Sequence, residues 1–293
     1  MGRAAEHEKG GYAVPALYVV ATPIGNLGDV TLRALEVLKQ VDTIAAEDTR
    51  VAAKLLNHYG IIAKKLIALH EHNENQAARR IVAALEAGES VAFASDAGTP
   101  AVSDPGARLV SAVRDAGFPV VPIPGASAAV AALSASGCTA PHFLFYGFLP
   151  AKAGERRSAL ALLKELPYLL VFYEAPHRVV DTVAALTTVL GGARRVVIAR
   201  ELTKLFETIH ACNLAEASHW LEEDPNRTKG EFVLIVQGAD KDRDAALGAG
   251  RHALEVLLQE LPVRQAAALA SRITGAKKND LYDLALQMKK RDE

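Results

Sequence analysis

From Leu17 onward, short runs rich in β-branched residues alternate with segments whose apolar residues recur at helical spacing. That alternation admits few folds. Parallel strands cannot be joined by tight turns, so helices cross between them and cover both faces of the sheet. Residues 17–138 carry five such runs, "LYVVATP", "TIAAED", "KLIALH", "SVAFASD" and "PVVPIP", separated by "TLRALEVLKQV", "RVAAKLLNHYG", "NQAARRIVAALEAG" and "ARLVSAVRDAG". They predict an α/β domain with a largely parallel sheet. The small-residue stretch "GASAAVAALSASG" after the fifth run is expected to be a helix packed closely on that sheet.

Near Thr139 the pattern restarts with more strands per helix. "FLFYGFLP", "YLLVFYEAP", "RRVVIARELT", "FETIHA" and "EFVLIVQG" read as strands, with two longer helices near Ala153–Leu166 and His177–Leu190. A second α/β domain with antiparallel pairs is expected over 139–240. The charged, glycine-bearing stretch Ala239–Gly250 has the composition of a linker. Residues 245–293 predict a small helical module of net charge +2, punctuated by Pro262 and Gly275. Residues 1–16 read as a disordered tail without the apolar core of a signal peptide.

The formal net charge of −1 excludes a globally basic nucleic-acid binder, though not a local basic face. No apolar run approaches the ~20 residues of a membrane span, so no membrane association is expected. Cys138 and Cys212 stand far apart without metal-ligand spacing. A reducing cytoplasm is the expected setting, with no disulfide framework and no metal.

Three loops leave strand ends with unusual chemistry: "TPIGNLGD" (Thr22–Asp29), "SDAGTPAVSDPG" (Ser95–Gly106) and "PGASA" (Pro124–Ala128). Ligands of open α/β sheets sit beyond the carboxyl ends of the strands. Glycine lets backbone approach a ligand closely, and proline stiffens a loop. Any one loop is explained as an ordinary turn; three at equivalent strand ends indicate a site. Neither G-x-G-x-x-G nor a phosphate-binding GxxxxGK[ST] motif occurs. Asp96 and Asp104 would repel phosphate, so a cationic or zwitterionic adenosine ligand fits better.

Six stretches in order, "VVATPIGNLGDVTLRALEVLKQVDTIAAEDTR", "SDAGTPAVSDPG", "PIPGASAAVAALSASG", "GFLPAK", "FYEAPHR" and "KGEFVLIV", resemble the tetrapyrrole methylase-like superfamily. Within it they are most similar to the branch that methylates a cytidine ribose in the decoding region of 16S ribosomal RNA. The resemblance runs from about Leu17 to the C-terminus. It implies two α/β domains with S-adenosyl-L-methionine in the cleft between them, and a homodimer whose partner is 16S ribosomal RNA or the small subunit, not DNA. It also implies cofactor contacts from Pro23, Ser95, Asp96, Ala97, Gly98 and Thr99, and from Pro124, Gly125, Ser127 and Ala128. From the second domain it implies Phe172, Tyr173, Glu174, Gly230 and Glu231.

Methylating a ribose hydroxyl requires positioning and removal of a proton from a very weak acid. The candidates are Glu47, Asp48 and Arg50 of "EDTR", Glu174 and His177 of "EAPHR", and Lys229. Each has a plain alternative: "EDTR" as a strand end with a helix cap, "APHR" as a helix start, Lys229 as a strand-edge lysine. The residues do not choose among them. For RNA contacts the candidates are Lys152, Arg156, Arg157, Arg178, Lys277 and Lys278, with Arg200 among further arginines on that face. Two other readings stay open: a methylase of a porphyrinoid-type small molecule, and a non-catalytic RNA-binding assembly factor.

Overall fold

The computed structural model of the chain describes residues 15–70 and 72–289. Its first half alternates β1 (Leu17–Val20), α1 (Leu32–Gln40), β2 (Thr43–Ala46), α2 (Thr49–His58), β3 (Leu66–Ala68), α3 (Glu74–Glu86), β4 (Val91–Ala94), α4 (Ala107–Asp115), β5 (Val120–Ile123) and α5 (Ala128–Ala135). The strands form one fully parallel sheet in the order β3-β2-β4-β1-β5. Both faces are covered. Tyr18, Val20, Ile44 and Ala92 pack against α1, while Leu17, Ala45, Val91 and Phe93 pack against α3 and α4. This is why these strands read as continuous apolar runs. Helix starts follow local chemistry: the Thr31 side chain accepts from the Ala34 N–H at α1, and Asp48 accepts from the Arg50 N–H at α2.

The second half runs β6 (Phe143–Phe148), α6 (Ala153–Leu163), β7 (Leu169–Glu174), α7 (Val179–Leu190), β8 (Arg195–Arg200), β9 (Thr208–Asn213), α8 (Leu214–Glu222) and β10 (Phe232–Val236). Its sheet is mixed, in the order β6-β7-β10-β8-β9, with only β6 and β7 parallel. One face packs on α6, α7 and α8 through Leu160, Val183, Leu186 and Leu221.

The other face of the second sheet takes α5. Ala129 and Ala132 pack with Leu169, Val171, Val197, Val233 and Ile235. The expectation that this helix covers the first sheet is therefore corrected. "AAVAALSA" is apolar all round and has no single face to commit it. Lying across the junction, α5 joins the two sheets.

Three further corrections concern elements. The sequence predicts two longer helices in this half, and the structure adds a third, α8, which begins with a capping box formed by Asn213 and Glu216. The stretch read as a linker is the first half of α9 (Lys241–Glu260), which packs with α10 (Val263–Thr274) and α11 (Lys278–Lys289) around Leu254, Ala266, Ala270 and Leu281. Gly250 fits there because a Cβ would lie 2.5 Å from a Leu281 methyl. Of the sixteen residues read as a tail, 1–14 lie outside the described residues, whereas Ala16 is fully buried in the first core. Among the described residues no helix is long and apolar enough to cross a membrane.

Candidate active site

The three unusual loops meet. The Thr22 N–H donates to the Gly98 carbonyl at 2.9 Å and the Gly98 N–H returns a bond to the Thr22 carbonyl at 3.1 Å. Thr99 Oγ1 donates to the Ala126 carbonyl at 3.1 Å. A Cβ on Gly125 would lie 2.8 Å from that of Ala21, so this backbone contact requires glycine. Strain collects here as well. Ala101 and Ser103 have φ of 63° and 64°, and Glu201 and Thr203, from the loop after β8, have φ of 52° and 67°. Non-glycine residues in that region mark places where the surroundings impose the backbone.

Between the two sheets these loops enclose a cleft of about 350 Å³. Ala97, Gly98, Thr99, Ser127 and Ala128 line it from the first half, as do Tyr173, Glu174 and Glu231 from the second. The cleft is also walled by Ile24, Val102, Phe148 and Leu202, and by Asp104. None of these five is among the contact residues expected from the sequence, although Ile24, Val102 and Asp104 lie in the loops Thr22–Asp29 and Ser95–Gly106 that it singled out. Tyr173 ties the halves together, its hydroxyl accepting from the Ala129 N–H at 3.2 Å.

Carboxylates dominate the electrostatics. Burial, with Glu47 and Asp96 nearby, pushes Asp104 up to about 6. Burial also raises Glu47, helped by the charge of Asp96. Asp48 behaves differently. Hydrogen bonds from Arg50, at 2.6 Å from its side chain and 2.8 Å from its N–H, hold it down at about 2. Asp48 is a helix cap, and the Arg50 side chain is 87% exposed. The Asp48 N–H in turn donates to Asp96 Oδ1 at 2.9 Å.

The other proposed site residues divide. Glu174 is buried: Oε2 accepts from Thr182 Oγ1 at 2.6 Å, Oε1 accepts from the Ala175 N–H at 2.9 Å, and Arg178 Nε lies 3.2 Å away. It fixes the turn at Ala175 and Pro176, which line the cleft. His177 is exposed and outside the cleft wall. Lys229 is also outside it, donating to Asn226 Oδ1 at 3.0 Å. The Phe172 side chain is fully buried on the opposite face of its strand, in the α6–α7 core. Gly230 stands at φ 92°, with the Glu201 side chain where its Cβ would be. Lys204 bridges Glu201 at 2.8 Å and Glu231 at 2.9 Å. Pro23, Ser95 and Asp96 line a second, adjoining cavity, and Pro124 and Gly125 line neither.

Several basic residues expected to face RNA are not free to do so. Arg156 is only 5% exposed, because it shares its helix face with Leu160 and Leu163. Arg178 pairs with Glu174 and donates to the Leu149 carbonyl. Arg200 is buried and donates to the carbonyls of Asn226, Lys229 and Phe206. Lys152, Arg157, Lys277 and Lys278 are exposed, Lys152 pairing with Glu155 at 3.0 Å.

The comparisons with known proteins agree with this architecture. A family model described as Tetrapyrrole (Corrin/Porphyrin) Methylases matches residues 16–218, and one described as RsmI C-terminal HTH domain matches residues 244–289. The chain is 49% identical over 282 residues to Ribosomal RNA small subunit methyltransferase I of Escherichia coli O157:H7, covering 96% of this chain and 98% of that protein. It is 53% identical over 272 residues to the protein of the same name from Pasteurella multocida (strain Pm70), covering 92% and 96%. Among solved structures, the methyltransferase CobJ superposes with a TM-score of 0.58 at 20% identity, covering 77% of this chain and 95% of that one. Uroporphyrin-III C-methyltransferase from Thermus thermophilus, complexed with S-adenyl homocysteine, gives 0.53 at 19%, covering 76% and 97%. At those identities the structures share the fold. By family match and by relatives alike, the chain belongs to the tetrapyrrole (corrin/porphyrin) methylases.

Proposed function

We propose that this protein transfers a methyl group from S-adenosyl-L-methionine to the ribose 2′-hydroxyl of a cytidine in 16S ribosomal RNA. One observation carries the reading. A cleft at the carboxyl strand ends is walled by stitched backbone and half-buried carboxylates, in a chain about half identical to proteins named as small-subunit RNA methyltransferases.

The residues fit the cofactor. At about 350 Å³ the cleft is within the ~300–1,000 Å³ range of small-molecule sites. Its carboxylates suit a sulfonium and an ammonium group and oppose phosphate. Ala97–Thr99 and Ser127–Ala128 would hold the cofactor through backbone groups, and Ile24, Leu202 and Phe148 offer apolar surface for its adenine. When bound, S-adenosyl-L-methionine supplies a methyl group on positively charged sulfur.

The chain's own residues do the rest. Asp104, with an acidity near neutral, accepts the hydroxyl proton at a carboxylate oxygen. Glu174 holds the Ala175–Pro176 turn through its bonds to the Ala175 N–H and Thr182 Oγ1. The apolar walls exclude water, which strengthens every charge interaction inside. Lys277 and Lys278 on the helical module, with Lys152 and Arg157, contribute phosphate contacts.

The test is transfer of labelled methyl from S-adenosyl-L-methionine to small ribosomal subunits from cells lacking this protein. The expected result is label at one cytidine whose ribose resists alkaline cleavage. A protein that binds the cofactor yet labels neither free RNA nor subunits contradicts the reading.

A further inference from the structure

Beside the cleft lies a second cavity of about 320 Å³, under the 3-10 turn Leu27–Asp29 and against α2. Its floor is apolar, made by Leu38, Ile44, Leu55, Leu56 and Ala94. Its mouth is formed by Leu27, Val51 and Lys54, all exposed, the first two at 39% and 37%. One wall is Thr22, Pro23, Ser95 and Asp96. Ala97, Gly98 and Thr99, which follow directly in the chain, line the cleft. The two cavities therefore share a partition, with Asp96 on the side away from the cleft.

The polar groups on that wall are few. Thr22 Oγ1 is committed to the Ser95 carbonyl at 3.1 Å, and Ser95 Oγ to the Gly98 carbonyl at 3.2 Å. Asp96 receives the Asp48 N–H on Oδ1 and keeps further lone pairs. Lys54 has no hydrogen bond or ion pair among the described residues. The cavity thus offers apolar surfaces, one carboxylate acceptor and one ammonium donor.

We propose that this second cavity receives the base of the target nucleotide and selects cytosine. The proposal rests on the reading of the protein as a methylase of RNA ribose. Enzymes acting on one nucleotide splay it out of the RNA, and a splayed base is read along its hydrogen-bonding edge. Cytosine presents an exocyclic amino donor beside ring acceptors, which complements Asp96 and Lys54. Uracil turns a carbonyl oxygen towards the carboxylate and is rejected. A base held here lies against the Ser95–Asp96 wall, which continues directly into the Ala97–Thr99 wall of the cleft that Asp104 also lines.

Two variants and a direct probe test this. Val51→Trp lays an indole across the mouth from an exposed helix position. Methyl transfer to small subunits should fall tenfold or more, while S-adenosyl-L-methionine affinity, measured by calorimetry, stays within twofold. A smaller fall overturns the proposal and leaves the RNA methylase reading standing. Lys54→Ala, which removes no partner among the described residues, should raise KM for subunits at least fivefold with kcat within twofold; an unchanged KM overturns it. If the unaltered protein labels no RNA, the parent reading fails, and the cavity is judged by methyl NMR of the full chain. Cytidine 5′-monophosphate should then shift the methyls of Leu27, Ile44, Val51 and Leu55, and uridine 5′-monophosphate should shift them less than a third as far. Absent or equal shifts overturn the base assignment.

Discussion

Asp104 shows how one residue links the fold to the chemistry. Its carboxyl is pushed up to about 6 because it is half-buried within reach of the negative charges of Glu47 and Asp96. An aspartate in the unfolded chain titrates near ~3.9. Between those values the folded protein binds more protons, so ionising Asp104 costs stability. The cost is absent below about pH 4 and fully present above about pH 6. Asp104→Asn should therefore stabilise the protein at pH 8 by about 1 kcal/mol, allowing for solvent screening, and change little at pH 4. The same variant should slow methyl transfer at least ~100-fold and abolish the rise in rate through about pH 6. Urea denaturation at both pH values and a pH–rate profile would check this. A variant less stable at pH 8 than the parent contradicts the argument.

At the scale of elements, the strained loops depend on close approaches that sequence periodicity does not report. Gly147 interrupts β6 at a bulge with φ 80°, and a Cβ there would lie 2.6 Å from Ser103 Oγ. Gly147→Ala should cost about 1–3 kcal/mol from the left-handed backbone and the contact, and should weaken cofactor binding by moving the Ser95–Gly106 loop. Denaturation and calorimetry together test it, and unchanged values in both would refute it. The central strands were legible because both of their faces are covered, leaving unbroken apolar runs such as "VAFA" and "FVLIV". What was missed has local causes. Immediately after β9, α8 begins without a loop, although Asn213 and Glu216 carried its capping signal. Charges and glycines made the start of α9 read as a linker. The destination of α5 was not legible, because an all-apolar helix carries no facing information. The burial of Arg156 and Arg200, and the pairing of Arg178 with Glu174, likewise depend on what folds around them. Glycines and prolines pointed to the backbone-built wall and to the loop that carries Val102, whereas the apolar lining from Phe148 and Leu202 comes from segments distant in sequence.

At the scale of the whole molecule, the cleft exists because two sheets of different topology are held by one helix and a few polar ties. The α5 helix leaves the first half and packs on the second, Tyr173 reaches back to the start of α5, and Gly25 sits against Lys204 and Thr203. Both halves therefore contribute to any ligand site between them, and neither half alone encloses one. The helical module packs its own core, which suits contacts to a large substrate beyond the cleft. The central claim is that this cleft is where S-adenosyl-L-methionine binds. Calorimetry with the parent protein and Ala97→Trp tests it most directly. Ala97 is exposed on the cleft wall, so a tryptophan there fills the cleft without disturbing a core. The account predicts one bound cofactor per chain for the parent and a loss of affinity of at least ~100-fold for a folded Ala97→Trp. Undiminished binding by that variant would place the cofactor elsewhere and contradict the account.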